Sequence, residues 1–230
     1  MTARIQRARL SRRRLIIITG PFGSGKTELA LSYALASAAS GRATALADLD
    51  IVNPYFRAQD HREELERAGV RVAAPNEPLS RYELPALPPE LRAALTEPSL
   101  YTIADVGGDP VGARILGSFR PYLNRDDLEL WLVINPWRPA AVEGELEQVI
   151  AGIQREAGLG ADAIISSPNM GHETTVRDVR EGHRRVQEYA RDLGLCIRFL
   201  AVDERLAAQV ADLGIPRWPM SLRVRPPWEE

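Results

Sequence analysis

The stretch from Arg14 to Thr27, RLIIITGPFGSGKT, constrains the fold of this chain more than any other. LIIIT is too short to cross a bilayer and lacks polar alternation, so it reads as a strand covered on both faces. A glycine-rich loop of the form GxxxxGK[ST] follows, and then ELALSYALASAA, a run of helix formers. A strand entering a helix through such a loop commits the chain to an α/β architecture. The glycines let the amides of Gly23, Ser24, Gly25 and Lys26 turn inward around a phosphate, where the helix N-terminus adds its positive end.

The rest of the chain agrees with that architecture. Strand-like runs at 14–19, 43–48, 99–104, 129–134, 161–166 and 196–202 alternate with helical patterns at 26–40, 58–68, 88–96, 140–157, 175–193 and 204–213. The alternation predicts a mostly parallel β-sheet sandwiched by helices. Thr175 stands three residues before Asp178, a capping-box start, and Gly194 closes the same helix. With 230 residues and 45% hydrophobic content, the chain can bury one large core. We expect a basic lead-in over 1–13, a nucleotide domain over 14–215 and a tail over 216–230 containing proline, tryptophan and arginine. Residues 73–89, rich in proline and polar side chains, read as a long surface connection.

Composition excludes several classes. The net charge of −2 gives no overall footprint for nucleic acid. A single cysteine, Cys196, rules out an internal disulfide or a zinc cluster and suits a reducing, cytoplasmic setting. His61, His172 and His183 have no metal-ligand spacing. No apolar run is long enough for a membrane span, and the run after the arginines at 4, 7, 9, 12, 13 and 14 is too short for a signal peptide. That arginine-rich lead-in reads as a solvated face, with contact to an anionic lipid or RNA as the alternative.

Lys26 is the only lysine among 29 basic residues. A backbone cradle admits a thin ammonium stem and excludes a broad guanidinium fork, so its place in the loop suits a phosphate contact. Lys26 is expected to reach the β- and γ-phosphates, and the Thr27 hydroxyl to take a Mg²⁺ position. Gly20, Pro21, Phe22, Gly23, Ser24, Gly25, Lys26, Thr27 and Glu28 together are the expected nucleotide cradle.

Such a site needs an acid at the end of another strand. YTIADVGGD (101–109) offers Asp105 followed by Gly107 and Gly108; an ordinary Asp-Gly turn is the alternative. ALADLDIVNPYFR (45–57) offers Asp48 and Asp50, which share a face of an extended strand; Asp50 would complete the metal shell, or both would cap a turn. In INPWRPA, Arg138 would neutralise phosphate charge, or Trp137 would anchor the loop. In SSPNMGHETT, Ser167 or Asn169 would lie near the base, or Asn169 would form a turn.

In their order, GPFGSGKT, the strand ending in DLD and the strand ending in DVGG resemble the MinD/ParA and CobQ/CobB nucleotide-binding superfamily, the SIMIBI class of P-loop NTPases. The resemblance spans residues 14–210 and implies a P-loop NTPase fold, Mg·ATP binding, slow hydrolysis and nucleotide-dependent dimerisation. It implies Lys26 and Thr27 as P-loop contacts, Asp50 as the switch I acid, and Asp105 with Gly108 as the Walker B and switch II pair. MinD- and ParA-like proteins carry a second lysine where this chain has Pro21, so a lysine-bridged dimer does not follow from the resemblance. The GPxGSGK form is also similar to GPN-loop GTPases, but no Gly-Pro-Asn triplet and no Asn-Lys-x-Asp sequence occurs, which favours ATP over GTP.

Three functions fit these residues. The first is a slow ATPase, with catalytic Lys26, Asp50 and Asp105, switching its affinity for an unidentified protein partner or a second copy of itself. The second is an ATP-dependent small-molecule kinase or ligase-like enzyme acting on a metabolite. The third is a scaffold that binds nucleotide without hydrolysis. The complete set of loop, acid and DVGG turn favours the first.

Overall fold

In LIIIT, Leu15 and Ile17 enter one apolar cluster and Ile16 and Ile18 enter another on the opposite side. Successive side chains of a strand point to opposite faces, so a strand apolar at every position must be covered on both. The computed structural model, which describes residues 7–50, 61–74, 88–138 and 145–223 (the side chains of 110 and 111 excepted), bears this out.

The described elements run β1 (Leu15–Thr19), α1 (Lys26–Ala39), β2 (Thr44–Leu49), α2 (Arg62–Arg67), β3 (Val70–Ala73), α3 (Pro89–Thr96), β4 (Tyr101–Val106), α4 (Pro110–Phe119), β5 (Leu128–Ile134), α5 (Leu146–Ala157), β6 (Ala163–Ser166), α6 (Val176–Asp192), β7 (Ile197–Asp203) and β8 (Arg217–Met220). All eight strands form one parallel sheet in the order β3-β2-β4-β1-β5-β6-β7-β8. β1 lies between β4 and β5. From β1 the chain first builds the β2, β3 and β4 side, then crosses to β5 and continues to β8. That reversal of direction creates the crevice at the carboxyl ends of the strands where open α/β sheets hold ligands.

Helix boundaries follow local chemistry. α6 starts at the expected capping box: the Thr175 hydroxyl accepts from the Asp178 amide, and the Asp178 carboxylate accepts from the Thr175 amide. α1 starts at Lys26, directly after Gly25 in the left-handed region.

Four features depart from the sequence reading. The pattern at 204–213 is not an α-helix: turns with i→i+3 bonds such as Leu206 N to Asp203 O and Gln209 N to Leu206 O lead into a 3-10 turn at Ala211–Leu213. Leu206, Ala207 and Val210 bury one side of this segment against β7, and that apolar spacing resembles a helix's. α4 was not foreseen, because two glycines in PVGARILGSF weaken its helical pattern. β3 is only four residues long. β8 is the fourth: residues 217–220, expected in the tail, form the last strand of the sheet, where Pro219 is tolerated because the strand is an edge.

The lead-in also packs on the domain from residue 7 onward. Arg7 bridges to Arg217, and the amide of buried Ser11 donates to Tyr33 Oη at 2.6 Å. The expected connection at 73–89, the first residues of the 58–68 and 140–157 helices, and the extreme ends of the chain lie largely outside the described residues.

Candidate functional site

The loops leaving β1, β2, β4, β5 and β6 at their carboxyl ends bring the expected residues together. Gly20, Gly23 and Gly25 have φ of +152°, +71° and +92°, a backbone path that side chains with a Cβ rarely follow. Gly25 makes no side-chain cap, and the first α1 bond runs from the Leu29 amide to the Gly25 carbonyl at 3.0 Å. The leading amides of α1 therefore have no acceptor within the helix, which is the arrangement that binds an anion.

Lys26, Thr27 and Glu28 are all buried at this helix start. Lys26 Nζ lies 3.9 Å from Asp50 Oδ2, too far for a hydrogen bond but close enough to balance charge. The backbone of Phe22 is part of the loop, whereas its side chain is 66% exposed and turned to solvent.

Asp48 and Asp105 sit opposite each other in the β2–β4 register. Asp48 Oδ1 accepts the amide of Asp50 at 3.1 Å, which ties the two acids at the end of β2 to each other. Asp105 is wholly buried, and neither of its carboxylate oxygens has a hydrogen-bond partner. It does not cap a turn. Burial first, then the charges of Asp48 and Asp50, push its carboxyl up to about 8, against the opposing pull of Lys26 and the nearby Thr27 hydroxyl. A buried, unpartnered carboxyl beside a lysine and a hydroxyl suits a hydrated divalent cation. Among the described residues no three His, Cys, Asp or Glu side chains converge into a metal cage. A Mg²⁺ ion here would take water, hydroxyl and phosphate oxygens as most of its shell, as that ion does in phosphate sites.

Gly107 and Gly108 join this acid to the loop. A Cβ on Gly107 would stand 3.1 Å from Asp50 Oδ1, and one on Gly108 would fall 1.7 Å from the Gly20 carbonyl oxygen. Asp109 Oδ1 accepts the Gly112 amide at 3.1 Å and so starts α4.

The far wall comes from β5 and β6. Arg138 Nε donates to the Gly23 carbonyl oxygen at 3.1 Å. The indole of Trp137 packs beside Gly182, and the guanidinium of Arg185 lies 4.6 Å above its ring. Trp137 therefore anchors this loop, and Arg138 reaches the glycine loop. Ser167 is buried with a bare Oγ and would contact a Cβ on Gly25 at 3.2 Å; the buried Ser24 Oγ is bare as well. Asn169 Oδ1 accepts from the Gly171 amide at 2.6 Å and from Thr174 Oγ1 at 3.2 Å, which matches the turn-forming alternative. Asn135 holds the two loops together through Nδ2 to Asn169 O at 2.6 Å.

One further contact has no local signature. The Arg223 amide donates to Glu28 Oε2 at 2.9 Å and its Nε to Glu64 Oε1 at 3.2 Å, tying the segment after β8 to α1 and α2. The partners lie 195 and 159 residues apart, and no motif marks them.

The eight-stranded parallel sheet, with its glycine loop between β1 and α1, is a P-loop NTPase fold. Among solved structures, cell division protein FtsY from Thermotoga maritima is similar with TM-score 0.56 and 22% identity, over 93% of this chain and 72% of that one. Signal recognition particle 54 kDa protein from Aeropyrum pernix K1, in complex with GDP, has TM-score 0.56 and 19% identity. That match covers 86% of this chain and 43% of the other, so the present chain spans less than half of that relative's length. FlhF complexed with GTP/Mg(2+) has TM-score 0.51 and 10% identity, over 86% and 69% of the two chains. No protein-family model matches the sequence, and no curated protein does.

Proposed function

We propose that this chain binds a nucleoside triphosphate, ATP, with Mg²⁺ and hydrolyses it slowly as a nucleotide-dependent switch. The observation that carries the reading is Asp105, buried without a hydrogen-bond partner at the end of β4, next to a glycine loop whose helix amides have no acceptor within α1. A protein tolerates such a carboxyl where it has work to do.

In this reading the amides of Gly23 to Lys26 hold the phosphates, and Lys26 exchanges its long contact with Asp50 for phosphate oxygens. Thr27, Asp50 and Asp105 are the residues that would hold the metal. Mg²⁺, when bound, neutralises the β- and γ-phosphoryl oxygens. Ser167 borders the base, with Asn169 shaping the turn beside it, and the backbone at Pro21, Phe22 and Glu28 belongs to the cradle. Gly108, packed on Gly20, moves with the loss of the γ-phosphate and carries the change into α4. A protein partner or a second copy reads that movement, in the cytoplasm. The acids and lysine assembled at the loop favour this over a scaffold that binds without hydrolysis.

GTP is the second reading of the base, favoured by the GDP and GTP/Mg(2+) complexes of two similar structures. Phosphate release from ATP and from GTP, measured on wild type and Asp105→Asn, tests both readings. Slow release from ATP that Asp105→Asn abolishes supports the proposal; release from GTP alone transfers it to the guanine nucleotide; release from neither, with binding intact, leaves a scaffold.

A further inference from the structure

We propose that Arg138 is a second cation for the phosphates, acting in cis, and that it lets the site distinguish a nucleoside triphosphate from its diphosphate; this rests on the nucleotide reading above. Arg138 follows β5, and its Nε is fixed on the Gly23 carbonyl oxygen at 3.1 Å. A Cβ on Gly23 would lie 3.2 Å from both Cδ and Nε of Arg138. The stem of the arginine therefore lies against the glycine loop at Gly23, where a Cβ would crowd it.

Among the described residues, nothing takes up the rest of the side chain. A guanidinium carries five N–H donors in a rigid fork. One is engaged by Gly23, while neither outer nitrogen makes a hydrogen bond or ion pair to any described residue. Other arginines of this chain are committed differently: Arg125 grips Asp162, Arg180 grips Asp212 and Arg205 grips Asp203, each through carboxylate oxygens. Arg138 is held by backbone, with its charge left open at the rim of the cradle.

The electrostatics of the site call for that charge. Asp48, Asp50 and Asp105 gather there with Lys26, the chain's only lysine. A triphosphate adds further negative charge, and one Mg²⁺ with one lysine leaves the terminal phosphoryl group short of cations. The helix amides serve the phosphates nearest α1. A fork anchored at the loop crest supplies two parallel donors to the group farthest from those amides, which a diphosphate lacks.

The test is calorimetry of a non-hydrolysable ATP analogue and of ADP, each with Mg²⁺, on wild type, Arg138→Ala and Arg138→Lys, with nucleotide-free melting of all three. We expect Arg138→Ala to weaken the triphosphate analogue by about 10- to 100-fold, the range of a lost charge-assisted hydrogen bond. ADP affinity and the nucleotide-free melting temperature should change little, and lysine should not restore the loss. Unchanged triphosphate affinity, or equal weakening of both nucleotides, overturns this proposal alone and makes Arg138 a brace for the loop. A wild type that binds neither nucleotide overturns the nucleotide reading and this proposal with it.

Discussion

Gly108 is packed against Gly20 so closely that a Cβ built on it would fall 1.7 Å from the Gly20 carbonyl oxygen. No side chain fits between the turn after β4 and the phosphate-binding loop, so the two backbones move together or separate. Gly108→Ala must part them. We expect this variant to lose about 1–3 kcal/mol of stability, the range for forcing a methyl group into packed space. It should also lose the difference in protease sensitivity between ATP-analogue and ADP states that the switch reading requires. Gly107→Ala, whose Cβ would meet side-chain oxygens of Asp109 at 2.8 Å and Asp50 at 3.1 Å, should be milder, since side chains yield more readily than backbone.

Asp105 makes the nucleotide-free protein sensitive to alkali. Its carboxyl ordinarily titrates near 3.8 and is raised to about 8 by burial and by Asp48 and Asp50. Between those values the folded state holds a proton that the unfolded state has lost, so stability falls as pH rises from about 4 through about 8. Asp105→Asn, neutral throughout, should melt higher than wild type at pH 8 and show a flatter melting profile from pH 5 to 8. Parallel profiles for the two proteins would show that Asp105 is not the group responsible. The same substitution should weaken Mg²⁺-dependent nucleotide binding, a trade of stability against function.

His183 gives the opposite slope. It is buried on α6 with Nδ1 3.0 Å from Ser166 Oγ and a bare Nε2, and burial holds its pKa below 6.5. The unfolded chain takes up a proton as pH falls below 6.5 while the folded chain resists, so the folded state weakens over that window. His183→Asn should reduce the loss of melting temperature between pH 7 and pH 5.5. An unchanged loss would assign that acid sensitivity to other groups.

The capping box of α6 provides a test of local structure independent of the nucleotide. Thr175→Ala removes the acceptor for the Asp178 amide and should cost about 1 kcal/mol in urea unfolding. Nucleotide affinity should be unaffected, since Thr175 and Asp178 bond to each other and the α6 residues that meet the far wall of the site, Gly182 and Arg185, lie beyond its first turn.

The parts of the site that were legible in the sequence are those written in consecutive residues. The glycine loop between a buried strand and a helix declares its geometry locally, and Asp50 and Asp105 are marked by their positions at the ends of apolar runs. Arg138 was visible as a residue leaving a strand, but its bond to Gly23 joins positions 115 apart, and the sequence left Trp137 an equal claim. Asp50 was the acid singled out at the end of β2, whereas the bond from its amide to Asp48 Oδ1 shows only in the structure. In the fold, the central strands were plain because both of their faces are apolar, while RWPM was hidden by its proline and VRVA by its length. The segment at 204–213 misled because burying one side of a chain of turns produces nearly the same spacing as burying one side of a helix.

The central claim rests on Lys26 and the loop around it, and calorimetric titration of a Mg²⁺-bound non-hydrolysable ATP analogue into wild type and Lys26→Ala tests it most directly. The account predicts a one-to-one complex with wild type that the substitution weakens by about 100-fold or more. Absence of binding to wild type, or equal binding to both proteins, would contradict it.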